Sequence, residues 1–367
     1  MMLEQASREW SNRPADERFG SLVAMKEAAL NFRNAAVISR VDTKNLHVSV
    51  ETDFDSDNPK ADDIVLNGST GTKAKLTNWS FNQLCLRAGA PSTFMQSLTA
   101  DTAMRALNEG LAKAPPAKGL MLFNRKSGGK TDDLTLRALT SQRYSRIWNL
   151  DIIERLQELE TRGPWQPAPA AFDGSRGLYM GDRDMFAFMV DSNRRIFETL
   201  PGGGLSRGFF TRNSEVGASS FEIVTFLYEY ICGNHRVWGV TGVKELRLRH
   251  VGRNNEVAMQ EWRVALREYS EASAAEDEAK ITRAREMTLG ATKDEVLDMV
   301  FGMKTGATRK QIERGFAKAV EHEEWYGNPF SVWGLAGGIT EVARDMANAD
   351  DRYTLDNAGR KLMEIAF

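Results

Sequence analysis

Apolar residues recur at helical spacing in the first readable stretch, REWSNRPADERFGSLVAMKEAALNFRNAA. Leu22, Met25, Ala29 and Phe32 share one face, and Pro14 stands just inside the expected helix start. The pattern then shifts to alternation in VISRVDTKNLHVSVETDFDSDNPKADDIVLNG, interrupted by an Asp/Asn/Pro tract, which predicts a hairpin with an acidic loop. LTNWSFNQLCLRAGAP returns to helical spacing, with Trp79, Leu84 and Ala88 on one face and exit signals at Gly89 and Pro91. Further helix is expected over PSTFMQSL and TAMRALNEGLAK, ending at the linker-like APPAKG.

Beyond that linker the period becomes two. LMLFNRK and LTLRALTSQRY, joined by SGGKTDD, predict an antiparallel hairpin, followed by a helix in WNLDIIERLQELE with Asn149 as a candidate cap and Ile152, Ile153 and Leu156 inward. GLYMGDRDMFAFMVD reads as a second hairpin around the turn GDRD. Its second strand is apolar on both faces and is expected to be central in a sheet. SSFEIVTFLYEYIC fits a strand or a helix equally, whereas VKELRLRHVG alternates cleanly, with Leu246, Leu248 and His250 opposite Arg247 and Arg249. From about Glu256 helical patterns resume, including a capping box in which Thr292 precedes Glu295 by three residues. The resulting expectation is an α+β fold: a central, mainly antiparallel sheet built from hairpins and flanked by N-terminal and C-terminal helices. The divisions are 1–117 (helical with a small hairpin), 118–255 (β-rich core) and 256–367 (helical).

Composition narrows the class. The chain has 367 residues, 42% hydrophobic and 27% charged, as in ordinary globular proteins. It contains no apolar run of the roughly 18 residues that span a bilayer. MMLEQASREW lacks the basic-then-apolar order of a secretory signal, so a cytoplasmic protein without a membrane partner is expected. The formal net charge of -2 conceals segregation. Asp42 to Asp63 holds seven acidic residues against Lys44 and Lys60, while Lys118 to Arg146 holds seven basic residues against Asp132 and Asp133. Leu205 to Asn255 adds seven more basic residues against four acidic ones. Such a zone suits either a polyanion-binding surface or a solvated sheet face.

Residues with intrinsic reactivity are sparse. Cys85 and Cys232 are far apart and are read as small buried hydrophobes. In YICGNHRVWG, Cys232, Asn234 and His235 form a Cys-x-x-His step, and His250 could add a third group. Zinc needs four ligands, or three and water, and His47 and His322 lie in distant segments. A tight turn explains Gly233 and Asn234, and a buried hydrogen bond explains His250. Asp182 and Asp184 in GDRD could recruit a divalent cation only with a further carboxylate, and turn preference accounts for them. SGGKTDD lacks the first glycine of a P-loop, and PGGGLSRG lacks dinucleotide-binding spacing. No metal and no cofactor is expected.

Cations interleaved with aromatics make the remaining signal. Arg137, Arg143 and Arg146 stand near Tyr144 and Trp148, Arg207 and Arg212 flank Phe209 and Phe210, and Arg247 and Arg249 alternate in RLRH. Single-stranded nucleic acid is held by cations along its phosphates and by ring faces under its bases. SRGFFTRN reads either as a loop presenting two arginines and two phenylalanines or as a core strand.

The order of several segments resembles the phage- and plasmid-associated family catalogued as domain of unknown function 932. These are EWSNRPADERFGSL, LTNWSFNQLCLRAGAPSTFMQSL, LTLRALTSQRYSRIWN, GLYMGDRDMFAFMVD, NSEVGASSFEI with the downstream CGN, RLRH, and NPFSVWGLAGGITEVAR. The resemblance runs almost end to end, implies a mobile-element context and carries no established catalytic residue. The expected function is binding of single-stranded DNA or RNA without chemistry, assisting recombination or replication by annealing as a homo-oligomer. In outline the hairpins packed with helices resemble phage single-strand annealing proteins. The alternatives are a metal-dependent nuclease or other DNA-processing enzyme, using Asp182 and Asp184 or Cys232, and a protein-binding assembly or counter-defence factor.

Overall fold

A computed structural model describes residues 14–51, 63–68, 73–125, 134–169, 176–199, 204–229, 236–238, 246–250, 255–344, 346, 354–355, 358–359 and 361–366. The fold is α+β, with two separate sheets rather than one. Strands β1 (Ala36–Asp42), β2 (Val48–Val50), β3 (Ile64–Asn67), β4 (Lys73–Leu76), β5 (Lys118–Arg125) and β6 (Leu134–Ser141) form a six-stranded sheet in the order β1-β5-β6-β4-β3-β2. All its pairings are antiparallel except β4 with β6. The expected hairpin β5–β6 is present, but it completes the N-terminal sheet. The division at 117/118 therefore runs through the middle of one hydrogen-bonded unit. The expected hairpin around the acidic tract is present as β2 paired antiparallel with β3, while β1 pairs with β5.

The second sheet contains β7 (Trp165–Pro167), β8 (Leu178–Met180), β9 (Met185–Ile196), β10 (Leu205–Asn213), β11 (Phe221–Glu229), β12 (Arg236–Trp238) and β13 (Leu246–Leu248). Its order is β12-β11-β10-β9-β7, with β13 also on β11 and β8 also on β9. SSFEIVTFLYE thus resolves as strand. Its long cross-strand ladder with β10, from Leu205–Glu229 to Arg212–Glu222, satisfies a two-sided apolar run that helical spacing fitted equally well. The period of two divides its side chains. Met185, Ala187, Met189, Phe209, Phe221 and Ile223 enter one core, while Phe186, Phe188, Phe210, Val224 and Phe226 enter the other.

Helices complete both cores. Asn78–Ala88 and Ala100–Lys113 cover the first sheet through Phe81, Leu84, Cys85, Ala103 and Leu107. Gly89 closes the former at φ 74°, as its exit signal predicts. Leu22–Ala35 and Asn149–Arg162 pack together and, with Trp262 of Asn255–Glu271, fill the Met185/Phe209 side of the second sheet. Ala275–Glu286, Lys293–Gly302, Arg309–Glu321 and Val332–Arg344 build a C-terminal helical core. Among the described residues no helix is long and apolar enough to cross a membrane.

Candidate nucleic-acid interface

The link from β10 to β11, Ser214–Ser220, is polar and small, yet it is bolted to both sheets. Ser214 Oγ donates to the Arg183 carbonyl (2.7 Å) and accepts from the Ala218 N–H (2.9 Å). The Val216 carbonyl accepts from Trp79 Nε1 (2.9 Å) and Gln83 Nε2 (3.0 Å), both on the helix of the first sheet. Tyr144 Oη donates to the Ser214 carbonyl (2.8 Å). Gly217 sits at φ 83° on the surface, 3.5–3.6 Å from Thr140 and Tyr144 at the place where a Cβ would stand. A left-handed backbone against two side chains favours glycine there.

Glu215 is the electrostatic centre. Its carboxylate, 3% exposed, accepts from Arg137 Nη1 (3.1 Å) and from the Asn149 N–H (2.9 Å), and its carbonyl accepts from Arg146. Asn149 is therefore not the helix cap. It is the first helical residue, and a carboxylate from 66 positions away receives the N–H that a local cap would have taken. Asn213 next to it donates to the Ile147 carbonyl and to Asn149 Oδ1 (2.7 Å).

Around this anchored loop lie rings and guanidinium groups. Arg183 stacks over Trp79 at 4.9 Å, and Arg146 lies between Tyr144 (5.3 Å) and Trp148 (5.6 Å). Tyr144 stacks on His250 with centroids 4.9 Å apart, and the His250 carbonyl accepts from the Ser145 N–H, which brings the RLRH segment alongside. Arg143, Arg183, Arg247 and Arg249 are exposed, and Trp79, Tyr144 and Trp148 are half-buried.

Three of the arginines expected to meet a polyanion are instead structural. Arg137 is buried: it pairs with Glu215, donates to the Asp182 carbonyl and covers Phe32. Arg207 is buried among the carbonyls of Ser270, Ala272 and Ser273 and pairs with Asp277 at 3.4 Å. Arg212 is buried and pairs with Asp184 at 3.2 Å. A guanidinium withdrawn from water persists only when matched in this way, and one so matched has little left to offer a phosphate. Phe209 and Phe210 are core residues of β10, at most 1% exposed, so SRGFFTRN is a strand and not a presenting loop. Arg146 is half-buried, and desolvation lowers its pKa. Arg247 reaches Glu222 at 3.2 Å while remaining exposed. Arg143 and Arg249 are exposed at the surface. Cys232, Asn234 and His235 lie outside the described residues.

Trp79 and Arg183 belong to this rim although their segments read only as a helix face and a turn. The polar tract NSEVGASS between two apolar runs is the signal that would have found it, since a loop of that composition has few ways to be held other than by distant partners.

Burial holds the His250 imidazole down at about pKa 4, opposed by a backbone hydrogen bond at Ser145 and reinforced by the Arg146 charge. The unfolded chain then binds a proton below about pH 6.5 that the folded chain refuses until about pH 4, so stability falls as the pH is lowered through that window. Between pH 7 and pH 5 the loss from this residue amounts to about 2 kcal/mol. Denaturant titrations of the wild type and His250→Gln at both pH values test it: the variant retains a smaller pH-dependent drop, and an equal drop in both proteins rules the assignment out.

The metal-dependent alternative finds little among the described residues. Among the described residues no three His, Cys, Asp or Glu side chains gather as a metal site, and Asp184 is committed to Arg212. Cys85 is buried, with its thiol pushed up to about 11 by desolvation, the behaviour of a packing residue rather than a nucleophile. No protein family, curated protein or solved structure matches this chain.

Proposed function

We propose that the protein binds single-stranded nucleic acid along the rim of the Ser214–Ser220 loop, without chemistry of its own. Arg143, Arg183, Arg247 and Arg249 meet phosphates, and the half-buried rings of Tyr144 and Trp79, which already stack with His250 and Arg183, present only their remaining surface to bases. The observation that carries this reading is the sign of the exposed charge. The carboxylates of the loop and its flank, Glu215 and Glu222, are buried, while Arg143, Arg183, Arg247 and Arg249 are exposed at the rim, with Asp182, and Glu17 beside Gly181, as acidic groups on the Arg183 side. Cations beside aromatic surface on a rigid support are what an unpaired strand requires. The family resemblance of the sequence motifs gives the reading a setting on mobile elements, where annealing by a homo-oligomer during recombination or replication is its natural extension.

The test is fluorescence anisotropy with a labelled single-stranded oligonucleotide over a salt series, with a duplex of the same sequence beside it. Affinity is expected to fall linearly with salt on logarithmic axes. Arg143→Ala, Arg183→Ala and Arg249→Ala combined should weaken binding about tenfold or more and reduce the slope by about 2, near 0.7 for each phosphate no longer neutralised. Absence of binding at low salt, or an unchanged slope in the triple variant, overturns the proposal.

A further inference from the structure

At the far end of β9 from the rim, a cleft of about 510 Å³ opens between the end of the Asn149–Arg162 helix, the end of β9 and the Asn255–Glu271 helix. Arg162, Arg194, Arg263 and Arg267 line it, against Glu158 and Glu271. Glu158 is already engaged, receiving both hydrogen bonds of Arg155 Nη1 (2.9 and 3.1 Å) and standing 3.9 Å from Arg263. Arg162 and Arg267 are exposed and have no ion pair among the described residues. Arg263 and Arg267, four apart on one helix, repel each other where a neutral pair would serve folding better.

Arg194 is tied to both the strand end and the helix end. Asp191, fully buried, accepts from the Arg194 N–H (3.2 Å) and from Ser270 Oγ (2.8 Å), and Arg194 Nη1 donates to the Ser270 carbonyl (3.0 Å). Strand end and helix end are thereby fixed around a guanidinium whose other donors face solvent. Behind them the same Ser270 carbonyl accepts from Arg207, which Asp277 neutralises, so the positive charge of the cleft is that of the arginines lining it. Leu159, Pro164 and Val264 supply an apolar side.

The geometry points to this cleft as a binding site for a small phosphorylated organic molecule of about mononucleotide size. Its volume falls within the range of small-molecule pockets and is several times what a lone phosphate fills. Guanidinium forks match phosphate oxygens pairwise, and the apolar side suits an organic portion. The cleft is separate from the proposed nucleic-acid rim. Met185 and Ile196, at the two ends of β9, pair with Asn213 and Leu205, eight residues apart on β10 and so roughly 26 Å at strand rise, and a concave pocket suits a compact ligand better than a continuous strand.

Calorimetric titration of the full chain with ADP, pyrophosphate, adenosine and citrate tests the inference. ADP is expected to bind, pyrophosphate more weakly and adenosine not at all. Arg162→Glu combined with Arg267→Glu should weaken ADP at least tenfold while the thermal midpoint stays near that of the wild type. The rim variant Arg143→Ala, Arg183→Ala and Arg249→Ala should bind ADP as the wild type does, which keeps this result independent of the nucleic-acid reading. Failure of both ADP and pyrophosphate to bind overturns the inference, as does ADP binding unchanged by the charge reversal. Citrate matching ADP overturns the phosphate assignment, pyrophosphate matching ADP overturns the organic portion, and displacement of ADP by a single-stranded oligonucleotide overturns the separation of the two sites.

Discussion

Replacing Glu215 with alanine is expected to cost about 3–5 kcal/mol of folding stability, the usual penalty for leaving a buried charge without its partner. Arg137, 2% exposed, has no route to water when its carboxylate is removed. Its Nη2 bond to the Asp182 carbonyl and its contact with Phe32 do not replace a counter-charge. The same substitution also frees the Asn149 N–H at a helix start that has no side-chain cap. Denaturant midpoints of three variants separate these contributions. Glu215→Gln keeps an acceptor for Asn149 and removes only the charge, so it should fall between wild type and alanine. Glu215→Leu combined with Arg137→Met removes both charges and should recover much of the loss, because an apolar pair often replaces a buried ion pair at little cost. A loss under about 1 kcal/mol for Glu215→Ala would show that the pair contributes no more than an exposed one does.

This pairing explains why the rim was only partly legible in the sequence. Runs of arginine in LTLRALTSQRYSR and SRGFFTRN look the same whether each guanidinium points to solvent or inward, since composition gives sign but not direction. Direction was readable only where alternation was clean. In RLRH, Arg247 and Arg249 do lie opposite Leu248 and His250, and both are exposed. In β10 every residue is buried, so alternation could not distinguish a face, and the partners of Arg207 and Arg212 lie 70 and 28 positions away. Pairings of that separation follow from topology, which no local pattern encodes.

The same limit governed the sheets. The faces Leu22/Met25/Ala29/Phe32 and Ile152/Ile153/Leu156, the Gly89 stop and the β5–β6 and β8–β9 hairpins rest on contacts within a few residues of one another and are present, whereas Trp79 leaves the face of Leu84 and Ala88 for the Val216 carbonyl. Assigning β5 and β6 to the N-terminal sheet required β1 and β4 as neighbours, one of them through a parallel pairing. Linker composition at APPAKG suggested a boundary because prolines end a helix; they do so here without separating two cores.

The C-terminal helices show a case in which sequence carries a packing instruction outright. Three glycines in the interior of one helix, Gly334, Gly337 and Gly338, would each cost about 1 kcal/mol against alanine if helix propensity decided the matter. At two of them, Gly334 and Gly338, neighbouring backbone comes too close for a Cβ, and at Gly337 the Tyr326 side chain does. At Gly338 a Cβ would collide with the Gly315 carbonyl and lie 2.6 Å from the Ala319 nitrogen, and at Gly315 it would lie 2.6 Å from Ile339 Cγ1 and 2.9 Å from Ile339 Cα. The helices Arg309–Glu321 and Val332–Arg344 thus meet through facing glycines, and the obstructing atoms are mostly backbone, which cannot turn aside. Gly338→Ala is therefore expected to destabilise the protein by about 3 kcal/mol despite its propensity gain, because the two helices must separate and loosen the core around Ile312, Phe316 and Ile339. Gly302, the last residue of Lys293–Gly302, has no atom within 4 Å of the same position. There Gly302→Ala should stabilise by about 0.5 kcal/mol through the unfolded chain. Opposite signs for one chemical change, read as denaturant midpoints, confirm that distance between backbones sets the outcome. A neutral or stabilising Gly338→Ala would mean that the helices cross further apart than these contacts require.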